Sequence, residues 1–214
     1  MEMLGTEQAS RFPDSAEMPE SKRHLELRTL LYLFLKHTFA EVAAIGCDQF
    51  VYWDPTDPRA CLAPDAFVRF GHRDEAFRSW KVWERGAPHV ALEILGDPDS
   101  PQPSWAEKLE KYRRLGVSEL VCFDPDLPEQ PLRVWDFLGD DLFERTLAEP
   151  AALSRILGAY WVVVEHPTHG PTLRLSHDAS GTQLLPTSGE AATRRADRAE
   201  VELRALKALL QRDG

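Results

Sequence analysis

The chain has 214 residues, 43% of them hydrophobic, with six tryptophans, which suits one folded domain with a real core and short appendages. Its 25 basic residues stand against 35 acidic ones, a formal net charge of −10. That balance excludes nonspecific nucleic-acid binding through overall charge, so any DNA-acting role needs a local basic patch, a metal or a partner.

Residues 1–20 mix Glu, Ser, Pro and Met without periodicity and read as a mobile tail. They lack the charged-then-apolar order of a signal peptide. From Ser21, a capping residue, the pattern turns helical. Leu27, Leu30, Leu31, Phe34 and Leu35 recur three and four apart, Ala40, Ala43 and Ala44 follow, and Gly46 is the predicted stop. Phe50–Trp53 reads as a strand running into the turn Asp54–Arg59. Asp65–Phe70 is the next strand, and Gly71–Gly86 a polar connection carrying Trp80 and Trp83. His89–Leu95 is a strongly apolar strand and Gly96–Pro103 a loop. Ser104 caps a helix to about Leu115, which Gly116 ends.

Glu119–Phe123 is a further strand. Leu132–Phe137 and Leu142–Leu147 form a hairpin around Gly139-Asp-Asp141. Thr172–Leu175 and Thr182–Leu185 form a second around Asp178-Ala-Ser-Gly181. Glu190–Arg212 is helical, with Ala192, Ala196, Ala199, Leu203, Leu206 and Leu210 making a heptad seam of about two and a half repeats. The predicted whole is one α/β domain over residues 21–188, a mixed sheet flanked by helices with added hairpins, followed by a C-terminal helix over 189–214. The seam is too short for a free coiled coil. It packs on its own domain or pairs across a homodimer, and the second is favoured because only one face is apolar while Arg194, Arg195, Arg198 and Arg204 solvate the rest.

Cys47, Cys61 and Cys122 are scattered without a CxxC pair, which gives no zinc site and reads as reduced core thiols of a cytoplasmic protein. No apolar run approaches the roughly 18–20 residues of a membrane span.

Glu93 is the charge out of place. Val90, Leu92 and Ile94 point to one side of its strand and Ala91, Glu93 and Leu95 to the other. Both faces are apolar, so the strand is central and covered twice. A carboxylate there needs a charge, a metal or hydrogen bonds. Asp65 opens another apolar strand after Pro64; alone it is an ordinary turn or cap residue, and it gains weight by pairing with Glu93.

Lys108 follows from helix geometry. At about 100° per residue, Trp105, Leu109, Tyr112 and Leu115 make one apolar arc, and Lys108 falls inside it. Lys111, Glu107 and Glu110 lie outside, and Glu107–Lys111 and Glu110–Arg114 are spaced as surface pairs. An inward lysine is either a snorkelling side chain or the partner of the inward glutamate. Two carboxylates and a lysine suit metal-dependent hydrolysis. Hard Mg²⁺ takes carboxylate oxygens and keeps several waters, and a lysine orients or deprotonates the attacking water or offsets anionic charge.

His166 and His169 read as loop residues, since Pro167 and Gly170 break any helix there. His24, at the start of the first helix, is within reach of the site but reads as a surface residue. Trp80, Trp83 and Trp105 read as packing groups rather than base-stacking platforms. GxSxG, P-loop and GxGxxG motifs are absent.

On Ala63-Pro-Asp65, Pro88-His-Val-Ala-Leu-Glu-Ile-Leu95, Lys108-Leu-Glu-Lys-Tyr112, Leu115-Gly-Val-Ser-Glu119 and Phe123-Asp-Pro125, the chain resembles the Uma-two-like family of restriction-endonuclease-type proteins. That family lies within the PD-(D/E)XK nuclease superfamily. The resemblance covers roughly residues 22–186. It implies a restriction-endonuclease-like α/β core, often dimeric, with Asp65 and Glu93 matching the metal-binding carboxylates of a Mg (or Mn) site that hydrolyses DNA. Leu95 stands where the superfamily's lysine usually lies, and Lys108 matches the helix lysine this family commonly offers instead. Gly96 replaces a usual Ser, and an acidic residue common before the helix lysine is replaced near Ser104. These departures support the alternative, a catalytically degenerate nuclease fold serving as a dimeric binding or scaffold module.

Overall fold

The computed structural model describes residues 21–96, 104–147 and 149–210, with backbone only at 206, 208 and 209. The expected tail over 1–20, loop positions 97–103, the helix end at Arg212 and the Leu206 side chain of the seam lie outside the described residues.

Helix α1 spans Lys22–Phe39, and the Ser21 hydroxyl caps it by accepting from the His24 N–H at 3.2 Å. Leu27, Leu31, Phe34, Leu35 and Phe39 make its buried stripe. The helix does not continue to Gly46. Ala43–Gly46 is strand β1, buried throughout and antiparallel to β4 (Ala66–Phe70), with Ile45 opposite Val68 and Gly46 opposite Phe67. The alanine spacing mimicked a helix, but sheet pairing decides the backbone here. Gly46 serves packing rather than helix termination, since a Cβ there would lie 1.9 Å from the Phe67 ring.

A small sheet joins β2 (Val51–Tyr52), β3 (Cys61–Leu62) and β5 (Trp80–Lys81). The expected strand over 50–53 thus shrinks to two residues. The expected connection over 71–86 contains β5 and the single-turn helix α2 (Val82–Arg85). Trp80 is buried, with its indole N–H donating to the Gly86 carbonyl at 2.8 Å.

The central sheet has six strands in the order β1-β4-β6-β7-β8-β9. Its further members are β6 (Val90–Ile94), β7 (Glu119–Phe123), β8 (Leu132–Leu138) and β9 (Asp141–Glu144). Only β6 and β7 run parallel, and α3 (Trp105–Leu115) makes the crossover between them. A reciprocal capping box between Ser104 and Glu107 starts α3, so Glu107 serves the helix end rather than Lys111. Gly116, at φ 75°, ends it in the left-handed region.

Two cores lie on the two faces of this sheet. Val68, Val90, Leu92, Ile94, Val121 and Phe123 pack under α1 and against a second sheet through Trp161, Leu173 and Leu175. That sheet comprises β10 (Ala151–Ser154), β11 (Ala159–His166) and β12 (Gly170–Ser176). On the opposite face Phe67, Ala91, Leu120 and Cys122 pack with Tyr112 and Leu115 of α3 and with Val51 and Trp80 of the small sheet. Strand β6 is therefore central and covered on both sides.

The expected hairpin between 172–175 and 182–185 is present in reduced form, with the Leu185 N–H donating to the Leu175 carbonyl and the His177 N–H to the Gln183 carbonyl, each at 2.9 Å. β12 pairs along its length with β11, and residues 182–185 add one bridge, Ser176 to Leu184. The run Tyr160-Trp-Val-Val-Val164 is a longer and more apolar partner. Helix α4 (Ser188–Leu210) ends the described chain. Cys122 is buried while Cys47 and Cys61 are half-buried, so only one of the three is a true core thiol. Among the described residues no helix is long and apolar enough to cross a membrane.

Candidate active site

Glu93 lies on β6, on the face that α3 covers, and is 3% exposed. Lys108, from the first turn of α3, donates from Nζ to Glu93 Oε2 at 2.6 Å. One turn on, the Tyr112 hydroxyl donates to Oε1. The inward lysine expected from helix geometry is thus aimed at the inward glutamate. Tyr112, in the sequence part of the apolar arc and the end of the segment Lys108–Tyr112 that carries the resemblance, adds its hydroxyl to the site.

Asp65 stands immediately before β4. Ala66 pairs with Leu92 in the β4–β6 register, so one step further along the ladder sets Asp65 across from Glu93. Cross-strand neighbours on one face hold their Cβ atoms about 4.5–5.5 Å apart. Asp65 is buried, and its Oδ2 accepts from the Ile94 N–H at 2.7 Å. Its Oδ1 lies 2.9 Å from His24 Nε2 in a hydrogen bond. His24 is therefore part of the site rather than a surface residue. Docking of α1 across the end of β4 brings it there, a long-range placement that no local spacing reports.

Burial pushes the Glu93 carboxyl up to about 7, and the neighbouring Asp65 charge pushes the same way against the pull of the Lys108 ammonium. Burial, and then the Glu93 charge, raise the Tyr112 phenol well above its usual value, so Tyr112 remains a donor. A cleft of about 270 Å³ opens at the C-terminal ends of β6 and β7, lined by Arg23, His24, Leu95, Gly96 and Asp126; it touches the cluster through His24, and Asp65, Glu93 and Lys108 do not line it. In open α/β sheets ligands bind outside the carboxyl ends of parallel strands. An apolar cavity of about 360 Å³ between α1, β12 and the start of α4 is lined by none of Asp65, Glu93 or Lys108.

Among the described residues no group of three His, Cys, Asp or Glu side chains gathers at a point suited to a metal ion. Asp65 and Glu93 nevertheless offer the hard oxygen donors that Mg²⁺ prefers, and Mg²⁺ commonly keeps waters in its remaining positions. Each of their four carboxylate oxygens holds one protein donor. A second lone pair on each remains for a cation. On donor chemistry the pair fits the ion.

Glu119 is a third buried carboxylate, expected from the sequence as an ordinary strand residue. It accepts from Arg145 Nη2 at 2.8 Å and Trp161 Nε1 at 3.1 Å. Its place at the start of β7 gave no sign of burial.

No family profile matches the chain, and no curated protein matches it. Among solved structures it is similar to a crystal structure from Anabaena variabilis described as a putative nuclease belonging to DUF820. The identity is 17% and the TM-score 0.46, over 77% of this chain and 78% of that one.

Proposed function

We propose that the protein is a Mg²⁺-dependent endonuclease hydrolysing DNA phosphodiester bonds, with Asp65 and Glu93 as metal ligands and Lys108 as the catalytic cation. The observation that carries this reading is the Lys108–Glu93 contact of 2.6 Å inside a buried cluster that also holds Asp65, Tyr112 and His24. Such a cluster is costly to keep in a core that apolar side chains would fill, and a carboxyl raised as Glu93 is marks a candidate functional site. A bound Mg²⁺ would acidify a water and offset charge on a phosphoryl oxygen. Asp65 and Glu93 present oxygens from adjacent strands, so neither depends on a flexible loop. Lys108 orients the attacking water and stabilises the anionic transition state from a rigid helix. His24 holds Asp65, and Tyr112 holds the second Glu93 oxygen.

The test is incubation of pure protein with Mg²⁺ or Mn²⁺ and supercoiled, linear and single-stranded DNA, beside Glu93→Ala. Metal-dependent cleavage abolished in the variant is expected, and cleavage that persists equally in it would sink the reading. A second reading, a nuclease-like fold kept as a binding module, is favoured by the protein donor on every carboxylate oxygen and by Leu95 and Gly96 after Glu93. Calorimetric titration separates the two, since the second predicts no Mn²⁺ binding.

A further inference from the structure

Helix α4 leaves the body of the protein after its first turn. Thr187 and Glu190 cap it reciprocally, at 2.7 and 3.2 Å. Arg174 of β12 donates to Glu190 at 2.9 Å, fixing the helix start on the domain. From Ala192 to Ala205 every residue is exposed, and the seam leucines Leu203 and Leu210 are 50% and 76% exposed. Roughly 28 Å of helix stands free, at 1.5 Å per residue. In proteins most helical stability comes from packing an amphipathic face, and the apolar stripe of this free stretch packs on nothing in its own chain among the described residues.

The charges beside the stripe indicate what covers it. With Ala196, Leu203 and Leu210 at heptad position a and Ala192, Ala199 and Leu206 at d, Arg195 and Glu202 fall at g, and Glu200 and Lys207 at e. In a parallel, in-register pair each g residue meets the e residue five positions further along the other helix. The two meetings are Arg195 with Glu200 and Glu202 with Lys207, both opposite in sign and each formed twice by two-fold symmetry. An antiparallel pair overlapping over the same length sets Glu200 against Glu200 and Glu202 against Glu202. Like charges placed in this way select against that arrangement.

We propose that α4 is a dimerisation element that pairs with α4 of a second copy of this chain as a parallel two-stranded coiled coil. The alanines at 192, 196 and 199 let the backbones approach near the bodies, and the leucines further along supply the apolar burial. Glu200, held in the single chain by Arg204 one turn on, gains the partner's Arg195 from the other side. The inference does not depend on the nuclease reading.

Sedimentation of the full-length protein over about 1–100 μM is expected to show an equilibrium between the 24.3 kDa chain and twice that mass. Leu203→Asp should leave a monomer whose body melts as before. Arg195→Glu should weaken the dimer about tenfold, and adding Glu200→Arg should restore it. Under mild oxidation Leu203→Cys should form a symmetric cross-linked dimer. Val201→Cys, on the opposite side of the helix, and the parent with its native thiols should not. A monomer at every concentration, a dimer indifferent to these charges, or a dimer in which Leu203→Cys does not cross-link would overturn the proposal.

Discussion

Glu93 and Glu119 lie on adjacent parallel strands, both buried, and are satisfied by different kinds of partner. Glu119 accepts from Arg145 and Trp161, and Arg145 also donates to Asp136 at 2.6 Å and to the Leu153 carbonyl at 2.6 Å. That network joins the central sheet to the β10–β11 sheet; Arg145 borders a cleft of about 570 Å³ beside β8 and β9, but Glu119 does not line it. Glu93 instead meets a lysine and a phenol and feels the charge of a second carboxylate, Asp65, whose partner His24 lines the cleft.

The difference predicts that Glu119 is structural. Glu119→Ala leaves Arg145 and the Trp161 N–H short of an acceptor and should cost on the order of 3 kcal/mol in urea unfolding. Mn²⁺ affinity of the folded variant should be unchanged. A stability loss below about 1 kcal/mol, or lost metal binding, would contradict this assignment.

Glu93 should make stability depend on pH. Its folded value, about 7, lies above the ordinary 4.5. Between those values the folded state holds a proton that the unfolded state has lost, so this contribution is full below about 4.5 and declines as pH rises to about 7. Glu93→Gln removes the titration. The stability difference between parent and variant, followed by urea unfolding at pH 4.5, 6 and 7.5, should move against the parent with rising pH. A flat difference would rule out the raised value.

Lys108→Met should act in the same window. It removes the cation from a buried carboxylate, so the loss should be about 3 kcal/mol at pH 8, where Glu93 is ionised, and smaller at pH 5. Combined with Glu93→Gln the loss should nearly vanish, and the double-mutant cycle measures that coupling. Additive losses would show that the 2.6 Å contact contributes little.

The parts of this arrangement that were legible in the sequence are those set by local period. The two-sided apolar pattern around Glu93 made β6 central, and the helical arc placed Lys108 inward. Ser104 and Gly116 bounded α3 because caps are local chemistry. Ala43–Gly46 misled because small residues fit either period, and pairing with β4 settled the matter. Of the β10–β12 sheet only β12 was legible, as the strand over 172–175, because Tyr160–Val164 in β11 is apolar without alternation. Glu119, His24 and the aim of the Tyr112 hydroxyl depend on how distant elements dock, which no window of sequence contains.

Asp65 separates structure from metal binding most sharply. Its Oδ2 accepts the Ile94 N–H inside the core. Asp65→Ala would orphan that donor, at about 1–3 kcal/mol, and lost function would then be ambiguous. Asp65→Asn keeps a carbonyl for the Ile94 N–H, removes the charge and turns an amide N–H toward His24 Nε2, which accepts it in the other tautomer. Because the Asp65 charge helps to raise the Glu93 carboxyl, Glu93 should titrate at lower pH in the asparagine variant, visible as a downward shift of the pH window above. Mn²⁺ affinity should fall at least about tenfold although the melting temperature is nearly kept, as expected when one of two carboxylate ligands loses its charge. An Asp65→Asn protein that binds Mn²⁺ as the parent does would remove Asp65 from the metal site and leave it the role of holding the end of β6.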